Sequence, residues 1–150
     1  LRVLRHLRHP NIVGIHGAVV DVQRQQVSLV LELVRGRTLE HFMRMGVQET
    51  SGETVPATPE PGARCQVCLD LCRAFLYLHS RRPRIVHSDL KSANILVEGD
   101  GKRVRSKLLD FGLARVLSRG ARPRGGTPRW MAPEVFQSSA AELKCSADVF

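Results

Sequence analysis

Leu1, Leu4 and Leu7 recur three residues apart with arginines between them, a pattern that predicts the end of an amphipathic helix over residues 1–9. Pro10 stops it, because proline disfavours helical geometry at the residue before it. Residues 12–20 are apolar, with Gly14 and Gly17 among them, and predict a strand. A polar turn over 21–26 leads to a second strand over 27–34, rich in β-formers. Arg35-Gly36-Arg37 breaks that strand, and Thr38 is placed to cap a short helix over 39–45. Residues 46–64 hold Gly46, Gly52, Pro56, Pro59, Pro61 and Gly62 among Ser, Thr and Glu, and predict a mobile loop. The strongest helical stretch is 65–80, where Cys68, Leu71, Cys72, Phe75 and Leu78 or His79 form an apolar stripe. Short strands follow at 85–86, 95–97 and 104–109, with Gly99-Asp100-Gly101 as the turn between the last two. Residues 112–130 read as loop, 134–137 as a helical turn and 140–142 as polar loop. No internal repeat is evident.

Composition narrows the class. With 43% hydrophobic and 25% charged residues in 150, the chain has enough apolar material for a core. No apolar run approaches the ~18 residues that span a bilayer, and no secretory signal follows Leu1. The chain starts with Leu1 and stops at Phe150 in mid-element, so both ends read as truncations, which leaves room for localisation signals outside the window. Cys65, Cys68 and Cys72 read as small buried thiols on one helix face, since no second pair stands at metal-ligand spacing. That usage fits an intracellular, cytoplasmic setting. The net charge of +9 raises nucleic-acid binding as a rival function. Sparse aromatics, not interleaved with the basic residues, weaken it, and no nucleic-acid partner is expected.

The chemistry lies in two aspartates, Asp89 and Asp110, each behind a short apolar run, with Lys91 and Asn94 shortly after the first. Carboxylate and amide oxygens suit Mg²⁺, and a nearby lysine can neutralise a transferring phosphoryl group. Singly, such residues mostly cap turns. Together they form the ordered set His87-Ser88-Asp89-Leu90-Lys91-Ser92-Ala93-Asn94, Asp110-Phe111-Gly112 and Ala132-Pro133-Glu134. On these motifs the chain resembles the protein kinase family across essentially all of its length. Leu7-Arg8-His9-Pro10-Asn11 resembles the end of that family's αC helix, and Tyr77-Leu78-His79-Ser80 the end of the helix before the catalytic loop. Asp89-Leu90-Lys91 and Gly126-Thr127-Pro128 resemble serine/threonine kinases, whereas Arg129-Trp130-Met131-Ala132-Pro133-Glu134 is shared with tyrosine kinases. The mixture resembles the tyrosine-kinase-like group.

The resemblance implies an α+β, two-lobed kinase fold truncated at both ends. Residues 1–34 would end the N-lobe, 32–37 form the hinge, and 38–150 begin a mainly helical C-lobe with a flexible insert at 46–64. It implies ATP and Mg²⁺ as cofactors and a protein as substrate. Asp89 would orient the substrate hydroxyl and accept its proton, Lys91 would stabilise the γ-phosphate, and Asn94 and Asp110 would hold Mg²⁺. Leu31 would be the gatekeeper, the backbone of Glu32 and Val34 would bond the adenine, and Leu96 would support it from below. Thr127 would bond Asp89 and Lys91, and His87 and Phe111 would stack with Leu4 and Ile15. Asp148 would anchor the catalytic loop from the following helix.

Two departures stand out. Ser88 replaces the arginine that in the family pairs with a phosphate on the activation loop, which implies weak dependence on phosphorylation there. One of Arg115, Arg119, Arg122 or Arg124 partly replacing that charge is the alternative. Second, the Gly-rich loop, the strand lysine, the αC glutamate and the C-terminal helices are not in the chain, so the fragment itself is expected to be inactive. The competing reading is a pseudokinase or scaffold that binds protein partners.

Overall fold

The computed structural model describes residues 6–44, 47–50, 53–56, 59–99, 103–137 and 142–150. Strands β1 (Ile15–Asp21) and β2 (Gln26–Leu31) form an antiparallel hairpin. The Asp21 carboxylate closes its turn by accepting the Arg24 N–H at 2.9 Å, and Gln25 takes a left-handed φ of 51°. β1 starts at Ile15 rather than at residue 12, because Ile12 and Val13 bind elsewhere. Val13 N donates to the Leu108 carbonyl at 3.0 Å, Leu108 N donates to the Asn11 carbonyl at 2.9 Å, and Ile12 and Val13 are buried. β2 ends at Leu31 rather than at residue 34, since Glu32 N donates to the Gly14 carbonyl at 2.8 Å and residues 32–35 then leave the ladder.

A short β3 (Gly36–Thr38) runs into α1 (Leu39–Arg44), whose His41 N–H is capped by Thr38 Oγ1 at 3.2 Å. Residues 47–56 depart from the expected loop. β4 (Val47–Thr50) pairs antiparallel with β5 (Glu53–Pro56). The two runs lie two residues apart across Ser51-Gly52, a hairpin spacing that the Gly and Pro content masked.

Helix α2 (Pro61–Ser80) begins four residues earlier than expected, with Pro61 in its first turn, where a missing N–H costs nothing. Its buried face is Ala63, Val67, Asp70, Ala74 and Leu78, which packs on β8 (Arg105–Leu108) and β6 (Ile85–Val86). Cys65, Cys68 and Cys72 are therefore exposed, not buried as expected, since they lie on the flank turned away from those strands. β7 (Ile95–Glu98) pairs with both β3 and β8, giving the three-stranded sheet β3-β7-β8. Gly99, at φ +97, starts the β7–β8 turn, and a Cβ there would collide with the Arg103 carbonyl. Asp100 and Gly101 lie outside the described residues, as do Leu4 and the bulk of the expected first helix.

Within the expected loop 112–130, β9 (Arg115–Val116) pairs with β6, and Pro128–Trp130 forms a 3₁₀ turn. α3 (Pro133–Gln137) follows, and Cys145–Asp148 is a 3₁₀ turn rather than part of a regular helix. Leu7, Ile12, Leu78, Ile95, Leu108 and Phe111 belong to the core that joins these parts. The arrangement is α+β, as the motifs implied.

Candidate active site

Strand β6 delivers the chain to His87-Ser88-Asp89, and Asp148 holds it there. The Asp148 side chain is fully buried and accepts three hydrogen bonds: His87 N and Ser88 N at 2.8 Å each, and His79 Nε2 at 2.9 Å. Ser88 sits at φ 67°, which opposes the ordinary preference of an L-residue. The bonds on both sides of it supply the constraint that keeps it there. Its hydroxyl is buried and makes no hydrogen bond.

His87 is wholly buried. Its Nε2–H donates to the Leu109 carbonyl at 2.8 Å and its Nδ1 accepts the Asp89 N–H at 3.3 Å, which assigns the neutral Nε2–H tautomer. Burial pushes its pKa down against the pull of that carbonyl. The ring meets Phe111 edge-on at 4.8 Å, and Ile15 packs half-buried against the same core; Leu4, the fourth member expected in this stack, lies outside the described residues.

The Asp89 carboxylate is 8% exposed and bonded on both oxygens. Lys91 Nζ and Asn94 Nδ2 donate to Oδ2 at 2.8 and 3.1 Å, and Thr127 donates to Oδ1 from its hydroxyl at 2.8 Å and its N–H at 3.1 Å. Burial works to raise the Asp89 pKa, but the hydrogen bonds from Lys91 and Thr127 outweigh it and hold the carboxyl below its usual value. Lys91 also bonds the Thr127 hydroxyl at 2.9 Å, so Asp89, Lys91 and Thr127 close a triangle across 38 residues of chain. This is the contact the resemblance implied.

Asn94 ends the 3₁₀ turn Ser92–Asn94, with its N–H on the Lys91 carbonyl and its amide nitrogen on the Asp89 carbonyl, each at 2.9 Å. Its Nδ2 donates to both the carbonyl and the carboxylate of Asp89, so Oδ1 is presented at the other end of the amide. Leu109 N donates to the Asn94 carbonyl at 2.8 Å. The β7–β8 register, which pairs Ile95 with Leu108, therefore puts Asn94 and Asp110 at the same end of one hairpin. Asp110 is exposed at φ 51°, and its Oδ1 accepts the Gly112 N–H at 3.0 Å. Two hard oxygen donors are a fitting protein share for Mg²⁺, which completes its shell with water and phosphate.

Just past β2, the Glu32 carboxylate accepts hydrogen bonds from Lys107 Nζ at 2.7 Å and Gly14 N at 3.0 Å. The Lys107 bond, then the Gly14 N–H, hold its pKa below the usual carboxylate value. Lys107 stands directly opposite Leu96 in the β7–β8 ladder, so the two side chains share one face of the sheet. Leu96, half-buried, is thus on the face from which Lys107 reaches Glu32. The Glu32 carbonyl and the Val34 N–H carry no protein partner among the described residues.

Sequence reasoning missed Lys107, and it missed a latch beneath the site. Asp70 of α2 accepts the Ser106 N–H at 2.8 Å while Asn11 Nδ2 donates to the Ser106 carbonyl at 2.9 Å, so a helix and a loop grip one residue of β8. Nothing in the local pattern of Arg105-Ser106-Lys107 signals either role. Among the described residues no helix is long and apolar enough to cross a membrane.

Known proteins match this chain along its whole length. The protein kinase domain model matches residues 1–150. The chain is 37% identical over 152 residues to the serine/threonine-protein kinase CTR1 of Arabidopsis thaliana, covering 99% of this chain and 17% of that protein. It is 35% identical over 148 residues to the probable serine/threonine-protein kinase SIS8 of the same plant, covering 97% of this chain and 13% of that protein. It is 34% identical over 151 residues to human mitogen-activated protein kinase kinase kinase 7, covering 100% of this chain and 22% of that protein. The chain thus spans less than a quarter of the length of these relatives. The names of the two plant relatives agree with the serine/threonine-type resemblance of its motifs. On the matched domain and these relatives, the chain belongs to the protein kinase family.

Proposed function

We propose that the full-length protein carrying this chain transfers the γ-phosphate of ATP to serine and threonine hydroxyls of protein substrates. The observation that carries the reading is the Asp89 carboxylate, held on both oxygens by Lys91, Asn94 and Thr127. ATP with Mg²⁺ supplies the transferable phosphoryl group and offsets its charge. A carboxylate with a depressed pKa is a weak base, so Asp89 chiefly orients the incoming hydroxyl and takes its proton late in the transfer. Lys91, bonded to both Asp89 and Thr127, brings a fixed positive charge to the place where the phosphoryl group arrives. Asn94 Oδ1 and the Asp110 carboxylate would hold the metal. The Glu32 carbonyl, the Val34 N–H and the Leu96 side chain would bind the base.

The four cysteines are free, which supports an intracellular, cytoplasmic setting. In the full-length protein, Asp89→Asn is expected to lower kcat by about a hundredfold or more, with ATP binding retained. A rate equal to wild type removes Asp89 from the chemistry, whereas a wild-type protein that transfers no phosphate moves the reading to a scaffold.

A further inference from the structure

Residues 111–133 carry five arginines and no aspartate or glutamate. Their backbone is held at three places. Near the start, β9 pairs with β6 and Leu117 N donates to the Arg84 carbonyl at 2.7 Å. In the middle, Ala121 is buried, with its N–H on the Ser118 carbonyl at 2.9 Å and its own carbonyl accepting Leu143 N at 3.0 Å. At the end, Thr127 is bonded to Asp89, and a Cβ on Gly126 would sit 3.0 Å from the Ser88 carbonyl.

Arg119, Arg122 and Arg124 leave from exposed positions between these anchors, and Arg129 from an exposed position just after them. None of the four forms an ion pair among the described residues, whereas Arg24, Arg44 and Arg73 each meet a carboxylate on their own element or turn. Exposed arginines are ordinarily just solvated. These differ because their segment ends in a bond to the carboxylate that addresses the substrate hydroxyl. A polypeptide that presents a hydroxyl to Asp89 therefore enters a field of positive charge that no acidic residue of the segment offsets.

We propose that Arg119, Arg122, Arg124 and Arg129 select substrates whose serine or threonine is flanked by anionic side chains. The inference rests on the kinase reading of the site and names its substrate class. The guanidinium fork donates to carboxylate and phosphate oxygens alike, so flanking aspartate or glutamate and an already phosphorylated flank share the chemistry.

The test uses the full-length protein and four serine peptides of equal length, flanked by Glu, Gln, Lys or phosphoserine. The expected order of kcat/KM is Glu above Gln above Lys, with about a tenfold gap between Glu and Gln that narrows as salt is added. A phosphoserine peptide that exceeds the Glu peptide assigns the sites to primed substrates; the reverse assigns them to acidic ones. The combined Arg119→Glu, Arg122→Glu, Arg124→Glu variant should invert the order, and the corresponding Gln variant, which adds no charge, should flatten it. Equal rates on all peptides, or an order unchanged in both variants, overturns the proposal. A wild-type protein that phosphorylates none of the peptides refutes the kinase reading instead. Anisotropy of the labelled Glu peptide then still decides charge selection. Its displacement by unlabelled Glu peptide supports the proposal, and preferential displacement by duplex DNA or phosphatidylserine vesicles refutes it.

Discussion

Asp148→Ala removes the acceptor for three donors, and their surroundings set the cost. His79 is partly open to water and can exchange its bond for a hydrated one at little loss. The N–H of the wholly buried His87 cannot, and the N–H of Ser88 is on a half-buried residue facing the vacated space. A buried donor left without a partner costs about 1–3 kcal/mol, so two of them cost about 2–6 kcal/mol together. Ser88 is then free to leave its left-handed φ, which carries Asp89 away from Lys91 and Thr127. Asp148→Asn keeps one carbonyl oxygen and is expected to lose about half as much. Equilibrium urea unfolding of the chain reads this, because the single tryptophan, Trp130, sits three residues beyond Thr127. Kinetics of the full-length protein should show kcat falling with the stability. An Asp148→Ala midpoint that matches wild type within error, at unchanged kcat, refutes the claim that this carboxylate positions the loop.

Lys107 and Glu32 are expected to couple by about 1 kcal/mol in a double-mutant cycle of Lys107→Met with Glu32→Gln. The figure is modest because the Glu32 side chain is 34% exposed and partly screened. Strictly additive losses refute the pairing. Burial depresses the His87 and His9 pKa, so the unfolded chain binds protons more readily than the folded one. Stability should be full above about pH 6.5 and fall below it. Asp89 and Glu32, depressed in their turn, lose their contribution only below about pH 4, which isolates the histidines. Urea midpoints that do not fall on acidification from neutral to mildly acidic pH contradict this. Ser88 places no cation beside the activation segment, so phosphatase treatment of the full-length protein should leave its rate unchanged, and abolition of activity refutes this. Leu108→Ala, at a fully buried core position, should cost about 2–5 kcal/mol in the same unfolding assay.

What could be read without a fold is what short range decides. The run 87–94, Asp110-Phe111-Gly112 and the β-rich stretches around them are contiguous, and their residue types and order carry the resemblance from which their roles are implied. The contacts of Asp148 and Thr127 with the loop were likewise legible, through the resemblance of those motifs. Other features depend on which surfaces meet. The stripe of Cys68, Leu71 and Cys72 is as apolar as the face that α2 buries, and the strands β6 and β8 decide that Val67, Asp70 and Ala74 go inward. Lys107 on Glu32 and Asp70 on Ser106 join residues 75 and 36 apart, and a lysine or aspartate in a local window carries no mark of a partner that distant. The sequence by itself determined the chemical groups and their order along the chain. Tertiary structure decided which oxygens are buried, which donors meet them and which helix face is hidden, because burial and pairing are properties of packed elements and not of the residues taken in turn.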